Sequence, residues 1–216
     1  VSHGSVAANH DSPLHQGIPH ECPDSPRGDG WVPQDDGWTR GLASEVVATQ
    51  LAAWFGLATL DWEIIPVDEL DEIPFLDQKE NRIGQATPGP AFITRAEQGT
   101  QWSGGDRELK LLVNPQDISR LVVFDTWVLN CDRRGPTDPV TNRCRKPNTD
   151  NVFLSAEAPA GEFLLKAIVH TYCFTFGREW TRKLSQVDII RDSRVFGLFP
   201  EFRACLDRPT VVQAAT

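Results

Sequence analysis

The chain lacks the long apolar run that a membrane helix requires. None of its segments approaches the roughly 18 consecutive apolar residues of a membrane span. The amino-terminal residues are polar and rich in histidine, unlike a signal peptide. These absences favour a cytoplasmic protein, and no membrane partner is expected.

Cysteine is also scarce, with five residues scattered over 216 positions. A disulfide framework needs a denser pattern in a chain of this length. Free thiols are therefore expected. Stability must come from an apolar core, and the 40% apolar and 24% charged residues are typical of a globular protein.

Positive charge is in deficit, with 21 Lys and Arg against 30 Asp and Glu and a net charge of −9. Proteins that bind nucleic acid need clustered Lys and Arg to contact the phosphates, so nucleic acid is not expected as a partner. Basic residues do gather between positions 133 and 146. Such a local cluster suits a single anionic ligand, and a solvated loop is an equally good interpretation.

Apolar spacing predicts two firm helices, over residues 42–55 and 114–130, with Asn114 as the N-cap of the second. Asp125 falls on or beside the apolar stripe of that helix, so it should be paired if it is buried. Strands are predicted over residues 62–67, 91–95, 152–154 and 163–168, the last two as a hairpin. Weaker helical patterns follow between residues 180 and 206.

The glycine-rich residues 99–105 are predicted to be a flexible connection, because little in them is suited to burial. They divide the chain into residues 1–98 and residues 106–216. We expect an amino-terminal lobe in the first part, with residues 1–30 as a flexible His-rich segment, and a mainly helical catalytic-like lobe in the second.

The segment with the clearest chemistry runs from Asn130 to Leu154, between the second helix and the hairpin. Phosphoryl transfer needs a carboxylate to accept the proton of the attacking hydroxyl, and an oxygen ligand for the magnesium that bridges the phosphates. A loop between two rigid elements can hold both groups a few ångströms apart. Asp132 is the candidate base and Asn151 the candidate metal ligand, with Asp150 beside it. Arg133 is placed to pair with a carboxylate or a phosphate.

Four segments in this order resemble the HipA-like kinases, relatives of the eukaryotic protein kinases and the phosphatidylinositol kinases. They read ASEVVATQLAAWFGL, PGPAFITR, FDTWVLNCDRR with NTDNVFL, and LKAIVHTYCFTFG. The resemblance extends over residues 42–206, roughly three quarters of the chain. It implies an α+β fold with two lobes, a reduced amino-terminal lobe, and ATP with Mg²⁺ as ligands.

The resemblance also implies roles for single residues. Glu45 would be the acid that pairs with a phosphate-binding lysine, Asp132 the catalytic base and Asn151 the metal ligand. Gly4 and Ser5 would be the remnant of the glycine loop over the phosphates. The strand over residues 91–95 would lead to the hinge that receives adenine.

The chain departs from the family pattern at two charged positions. Val169 stands where the family has a metal-binding aspartate. No lysine occurs between Val1 and Glu45, and Gln34 aligns with the lysine position. A hard cation with few carboxylate ligands binds weakly, so these departures predict impaired catalysis. The expected function is a HipA-like ATP-dependent serine/threonine kinase or related phosphotransferase acting on a protein substrate. The alternative is a catalytically degenerate pseudokinase that binds nucleotide or a protein partner.

Simpler interpretations compete with each of these assignments. Glu45 can be an acid favoured by the helix dipole, Asp132 and Arg133 a structural ion pair, and Asn151 a turn cap. His170 beside an apolar strand is more often a core histidine than a catalyst.

Two other classes of function remain open from the sequence. His10, His15, His20 and Cys22 offer zinc ligands, although the usual two-residue gap between paired ligands is missing. A Ser or Cys hydrolase is less favoured, because the chain has no Gly-x-Ser-x-Gly motif.

Overall fold

The computed structural model describes residues 37–76, 81–85, 88–136, 146–174 and 194–216. Predictions for the amino-terminal residues, and those between residues 175 and 193, lie outside the described residues. The helices are α1 (Gly37–Trp54), α2 (Asp106–Leu109), α3 (Gln116–Trp127), α4 (Cys131–Arg134) and α5 (Arg208–Ala215), with 3₁₀ helices at Thr149–Asn151 and Glu201–Cys205. The strands are β1 (Trp62–Val67), β2 (Pro74–Leu76), β3 (Arg82–Gln85), β4 (Gly89–Thr94), β5 (Gly99–Gln101), β6 (Val152–Ser155) and β7 (Leu164–Ala167).

The strands form three small antiparallel sheets, which confirms the predicted α+β class. β1 pairs with β4, with Trp62 opposite Thr94, and β2 pairs with β3. The third sheet has the order β5–β6–β7. The predicted hairpin is present as β6 and β7, with Val152 opposite Ala167. Within the described ranges, no helix is both long and apolar enough to span a bilayer.

Helix α3 is the centre of the core because it is apolar at helical spacing. Ile118, Leu121 and Phe124 are completely buried, and the helix packs on α5, on β7 and on the 3₁₀ helix Glu201–Cys205. Ala48 and Ala52, one turn apart on α1, reach the same core. Sequence periodicity identified both helices, although α1 begins at Gly37, five residues earlier than predicted.

The prediction that Asn114 caps α3 is wrong. The N-cap of α3 is Pro115, and no side chain makes a capping hydrogen bond there. The Asn114 side chain instead donates to Asp117 and to the carbonyl of Leu165 and accepts from the Leu165 amide at 2.9 Å. It therefore joins the start of α3 to β7, which holds the hairpin against the helix.

The prediction that little in residues 99–105 is buried is also wrong. Residues 99–101 form β5, and Trp102 is almost completely buried. The Trp102 ring packs against Phe199 and Phe202, each with ring centroids 5.0 Å away, and its Nε1 donates to the Gly105 carbonyl. The aromatic partners are distant in sequence, so no local pattern revealed them.

We predict that Trp102→Ala lowers the free energy of unfolding by about 3–5 kcal/mol, because it leaves a large cavity among packed rings. Trp54 is the matched control, since 77% of it is exposed. Trp54→Ala should cost less than about 1 kcal/mol. Urea denaturation of the two variants measures the difference, and equal losses would contradict the burial of Trp102.

Candidate functional site

The turn between α3 and α4 fixes the orientation of Asp132. Asn130 is the N-cap of α4, and its side-chain oxygen accepts a hydrogen bond from the Asp132 amide at 3.1 Å. The Asn130 amide group also donates to Asp125. Asparagine is among the preferred N-cap residues because its short side chain reaches the exposed amides of the first turn. Asp132 therefore lies in the first turn of a helix whose start is anchored to the core.

Asp132 and Asn151 lie in contact, as the sequence predicted for a base and a metal ligand. Asn151 is the last residue of a 3₁₀ helix that leads directly into β6, and its Nδ2 donates to Asp132 Oδ2 at 2.6 Å. The main chain supports the same approach, because the Asn148 amide donates to the Arg133 carbonyl at 2.8 Å. The fold thus brings a carboxylate and an amide from two segments to one point.

Arg133 is 0% exposed, and its side chain is held by protein groups. Its Nε donates to Asp125 at 3.0 Å, and one terminal nitrogen donates to the carbonyls of Asn151 and Ile168. The predicted pairing of Asp125 is therefore confirmed. Nucleotide binding by Arg133 stays a prediction. In the structure the guanidinium of Arg133 pairs with the buried carboxylate of Asp125.

Glu45 reaches from α1 to the turn after β7. Its Oε2 accepts hydrogen bonds from the His170 amide at 2.7 Å and from Thr171 Oγ1 at 3.0 Å. Helix α1 packs closely on this turn, as a Cβ added to Gly41 would lie 3.0 Å from the Thr171 methyl carbon. The expected lysine partner aligns with Gln34, which lies outside the described residues. Among the described contacts, Glu45 stabilises a turn beside the Asp132–Asn151 pair.

Val169 occupies that turn with a φ of 59° and is buried. A β-branched residue rarely adopts this left-handed conformation, whereas aspartate and asparagine tolerate it better. The surrounding bonds impose it, since the carbonyls of Ile168 and Val169 accept from Arg133 and the next amide donates to Glu45. Strained residues persist where the surroundings overdetermine the backbone.

Burial dominates the electrostatics of this region. It raises the pKa of Glu45 and of Asp125, although hydrogen bonds and the Arg133 charge oppose the effect. Burial and the same arginine charge hold the pKa of His170 well below its ordinary value. The His170 Nδ1 lies 3.4 Å from an Arg133 nitrogen, and its Nε2 is buried without a hydrogen-bond partner among the described residues. His170 is therefore a neutral core residue that is only partly satisfied.

Two clefts lie next to residues 95–98, which join β4 to β5, and Glu97 lines both of them. The larger has a volume of about 450 Å³ and is lined by Glu97, residues 99–103, Thr149, Asp150, Phe153 and Ile168. The smaller measures about 360 Å³, and Arg95, Glu97, Glu157 and Lys166 are among its lining residues. Asp150 directly precedes Asn151 in sequence, so the wall of the larger cleft includes a neighbour of the Asp132–Asn151 contact, although neither Asp132 nor Asn151 lines the cleft itself.

The residues beside the larger cleft fit a magnesium ion carried by nucleotide phosphates. Mg²⁺ is usually held by one or two carboxylates together with phosphate and water oxygens. Asp132 supplies a carboxylate, Asn151 retains its amide oxygen as an acceptor, and Asp150 is exposed at the cleft wall. Val169 supplies no ligand. Across the described segments, no three His, Cys, Asp or Glu side chains form a ready metal site, so binding would depend on the phosphates.

Several predicted site residues lie outside the described residues: Gly4, Ser5, Gln34 and the candidate zinc ligands His10, His15, His20 and Cys22. Sequence reasoning also missed an ion pair in which Lys166 contacts Glu97 and Glu157. A signal for it was present, because a lysine between apolar residues in a strand requires a partner if the strand is buried.

We predict that His170 makes the protein less stable in acid. The unfolded chain binds a proton near pH 6.5, whereas the folded state keeps the imidazole neutral. The contribution of the neutral imidazole to the free energy of unfolding is fully present above that pH. It is lost as the pH falls towards the folded-state pKa, and the free energy of unfolding then decreases by up to about 1.4 kcal/mol per pH unit.

Urea denaturation of wild type and His170→Asn from about pH 7.5 to 5.5 tests this slope. Glu45 and Asp125 titrate in both proteins, so the difference between the two isolates the imidazole. The gap in free energy of unfolding should narrow as the pH falls. A gap that stays constant would show that His170 accepts a proton in the folded state as easily as in the unfolded chain.

Comparison with known protein families assigns the chain to one of them. The sequence matches the HipA-like kinase family over residues 31–148, which is more than half of the chain. The match includes Glu45 and Asp132 and ends shortly before Asn151. No match was found among curated proteins or among solved structures. The chain belongs to the HipA-like kinase family.

Proposed function

We propose that the chain is an ATP-dependent phosphotransferase of the HipA-like kind, with a two-lobed arrangement around the larger cleft and a weakened metal site. The contact between Asp132 and Asn151 carries the proposal, because it joins a carboxylate and an amide at 2.6 Å, and the residue before Asn151, Asp150, lines that cleft. Phosphoryl transfer requires a base and a metal ligand held close together. The acceptor would be a hydroxyl group, and the family implies a protein serine or threonine.

On this proposal each residue of the candidate site has one role. Asp132 orients the attacking hydroxyl and accepts its proton, and the turn at Asn130 holds the carboxylate in place. The Asn151 oxygen, with Asp150 near it, would hold Mg²⁺, which neutralises charge on the phosphates when bound. The nucleotide base would lie between residues 97–103 and the side chains of Phe153 and Ile168, which offer an apolar surface.

Position 169 favours a second candidate function, which is nucleotide binding without turnover. The valine lies on the turn that Arg133 and Glu45 hold beside the Asp132–Asn151 pair. A carboxylate there would add a ligand, and fewer carboxylates mean weaker binding of hard cations. On this alternative the chain is a pseudokinase that presents a nucleotide-bound surface to a protein partner.

We predict that saturating ATP with Mg²⁺ stabilises the protein by about 2.7 kcal/mol at 100 times its Kd, which raises Tm by roughly 5–10 °C. Asn151→Ala should remove the magnesium-dependent part of the shift, because it deletes a metal ligand. Asn148→Ala is the matched control, since Asn148 lies in the same turn and its side chain makes no capping bond. No shift in wild type at millimolar nucleotide would reject nucleotide binding.

We predict that Val169→Asp increases Mg²⁺ affinity and phosphate transfer. The substitution adds a carboxylate beside Asn151, in a backbone conformation that aspartate tolerates better than valine. Adding Asp132→Asn should then remove the gain, as the loss of a general base costs roughly 10²–10⁴-fold in rate.

The assay is ATP hydrolysis or phosphate transfer by wild type, Val169→Asp and the double variant. Equal activity in wild type and Val169→Asp would mean that another carboxylate, such as Asp150, already serves the metal. Inactivity of all three, with nucleotide binding retained, would select the binding function.

A further inference from the structure

Residues 95–98, the connector between β4 and β5, line the smaller cleft, and one of them also lines the larger cleft. At one end the Arg95 amide donates to the Asp61 carbonyl at 2.8 Å, and at the other the Gln98 carbonyl accepts from the Ala156 amide at 2.9 Å. Glu97 lies between these two anchors and lines both clefts. The position of this connector therefore affects the shape of the larger cleft.

Lys166 holds the middle of the connector through its side chain. It lies on β7, and although lysine is seldom buried, its side chain is only 8% exposed. Its Nζ donates to Glu97 Oε2 at 2.5 Å and to Glu157 Oε2 at 2.8 Å. Burial alone would lower the pKa of Lys166, but the hydrogen bonds and charges of Glu157 and Glu97 raise it above its ordinary value. The ammonium group therefore stays charged.

Among the described residues, Lys166 is the cation that pairs with Glu97. The Glu97 side chain is 13% exposed, and its second oxygen, Oε1, is buried without a hydrogen-bond partner among the described residues. Glu157 is different, because 59% of its side chain is exposed and water can replace the lysine. Loss of the charge on Lys166 would therefore leave an unpaired buried carboxylate at Glu97 but not at Glu157.

The floor of the larger cleft leaves the connector little freedom to move. Lys166 lies opposite Phe153 in the β6–β7 register, and a Cβ at Gly99 would lie 2.4 Å from the Phe153 ring. Only glycine allows the chain to pass this closely. Residues 97–99 are thus held at two points, Glu97 by the charge of Lys166 and Gly99 by close packing against Phe153.

We propose that Lys166 is a positioning residue which, by binding Glu97, sets the connector against the sheet and so determines the affinity of the larger cleft for nucleotide. Lys166 itself touches no reacting group. The nucleotide part of this inference rests on the function proposed above, whereas the connector part does not.

The test combines hydrogen exchange with nucleotide binding. In Lys166→Met, amides between residues 97 and 102 should exchange at least about tenfold faster, because the connector loses its side-chain anchor. The Kd for ATP with Mg²⁺ should rise by about tenfold at a temperature where the protein is fully folded. Glu157→Gln is the matched control, and both readouts should stay within about twofold of wild type.

A double variant separates positioning from a general loss of stability. Glu97→Gln combined with Lys166→Met removes both charges, so the buried carboxylate is no longer unpaired. Exchange at residues 97–102 and nucleotide affinity should both return towards wild type, even where Tm does not. If Lys166→Met alone fails to fold, the double variant can still be compared with wild type in both measurements.

Two results overturn the inference. Unchanged exchange at residues 97–102 in Lys166→Met shows that Lys166 does not hold the connector, whether or not nucleotide binds. Faster exchange with an unchanged Kd shows that the connector does not govern affinity. If wild type itself fails to bind nucleotide, the proposed function is rejected, and exchange alone decides the role of Lys166.

Discussion

The buried guanidinium of Arg133 is the interaction on which the site depends. It joins α3, the start of β6 and the end of β7 through Asp125, Asn151 and Ile168. Removing a charged group from water is costly unless every donor finds a partner, and here a carboxylate and main-chain carbonyls supply those partners. Because Asp132 precedes this arginine directly, the candidate base is fixed relative to three other segments at once.

The parts of the fold that sequence could predict are those set by local patterns. Helix α3 and the β6–β7 hairpin follow from apolar periodicity, and Asp125 on an apolar stripe required a partner. The pairing of Asp132 with Asn151 came from the need for a base and a metal ligand, supported by four segments resembling one family.

The parts that sequence could not predict are those set by distant packing. Trp102 is buried because Phe199 and Phe202 cover it, and nothing near residue 102 indicates this. Glu45 accepts from the His170 amide and the Thr171 hydroxyl. Main-chain amides and hydroxyls are common throughout a sequence, so these partners could not be predicted. Arg133 has the same ambiguity, because a guanidinium suits a phosphate and a buried carboxylate equally well.

The strained backbone at Val169 has a consequence for amino-acid substitution at that position. The turn is kept in place by Arg133 and Glu45, through main-chain groups that every residue possesses. Its shape is therefore independent of the side chain at position 169. In the genetic code, a change of the middle base turns any valine codon into one for aspartate or glutamate. A single base substitution would therefore place an acidic residue on a turn that is already formed.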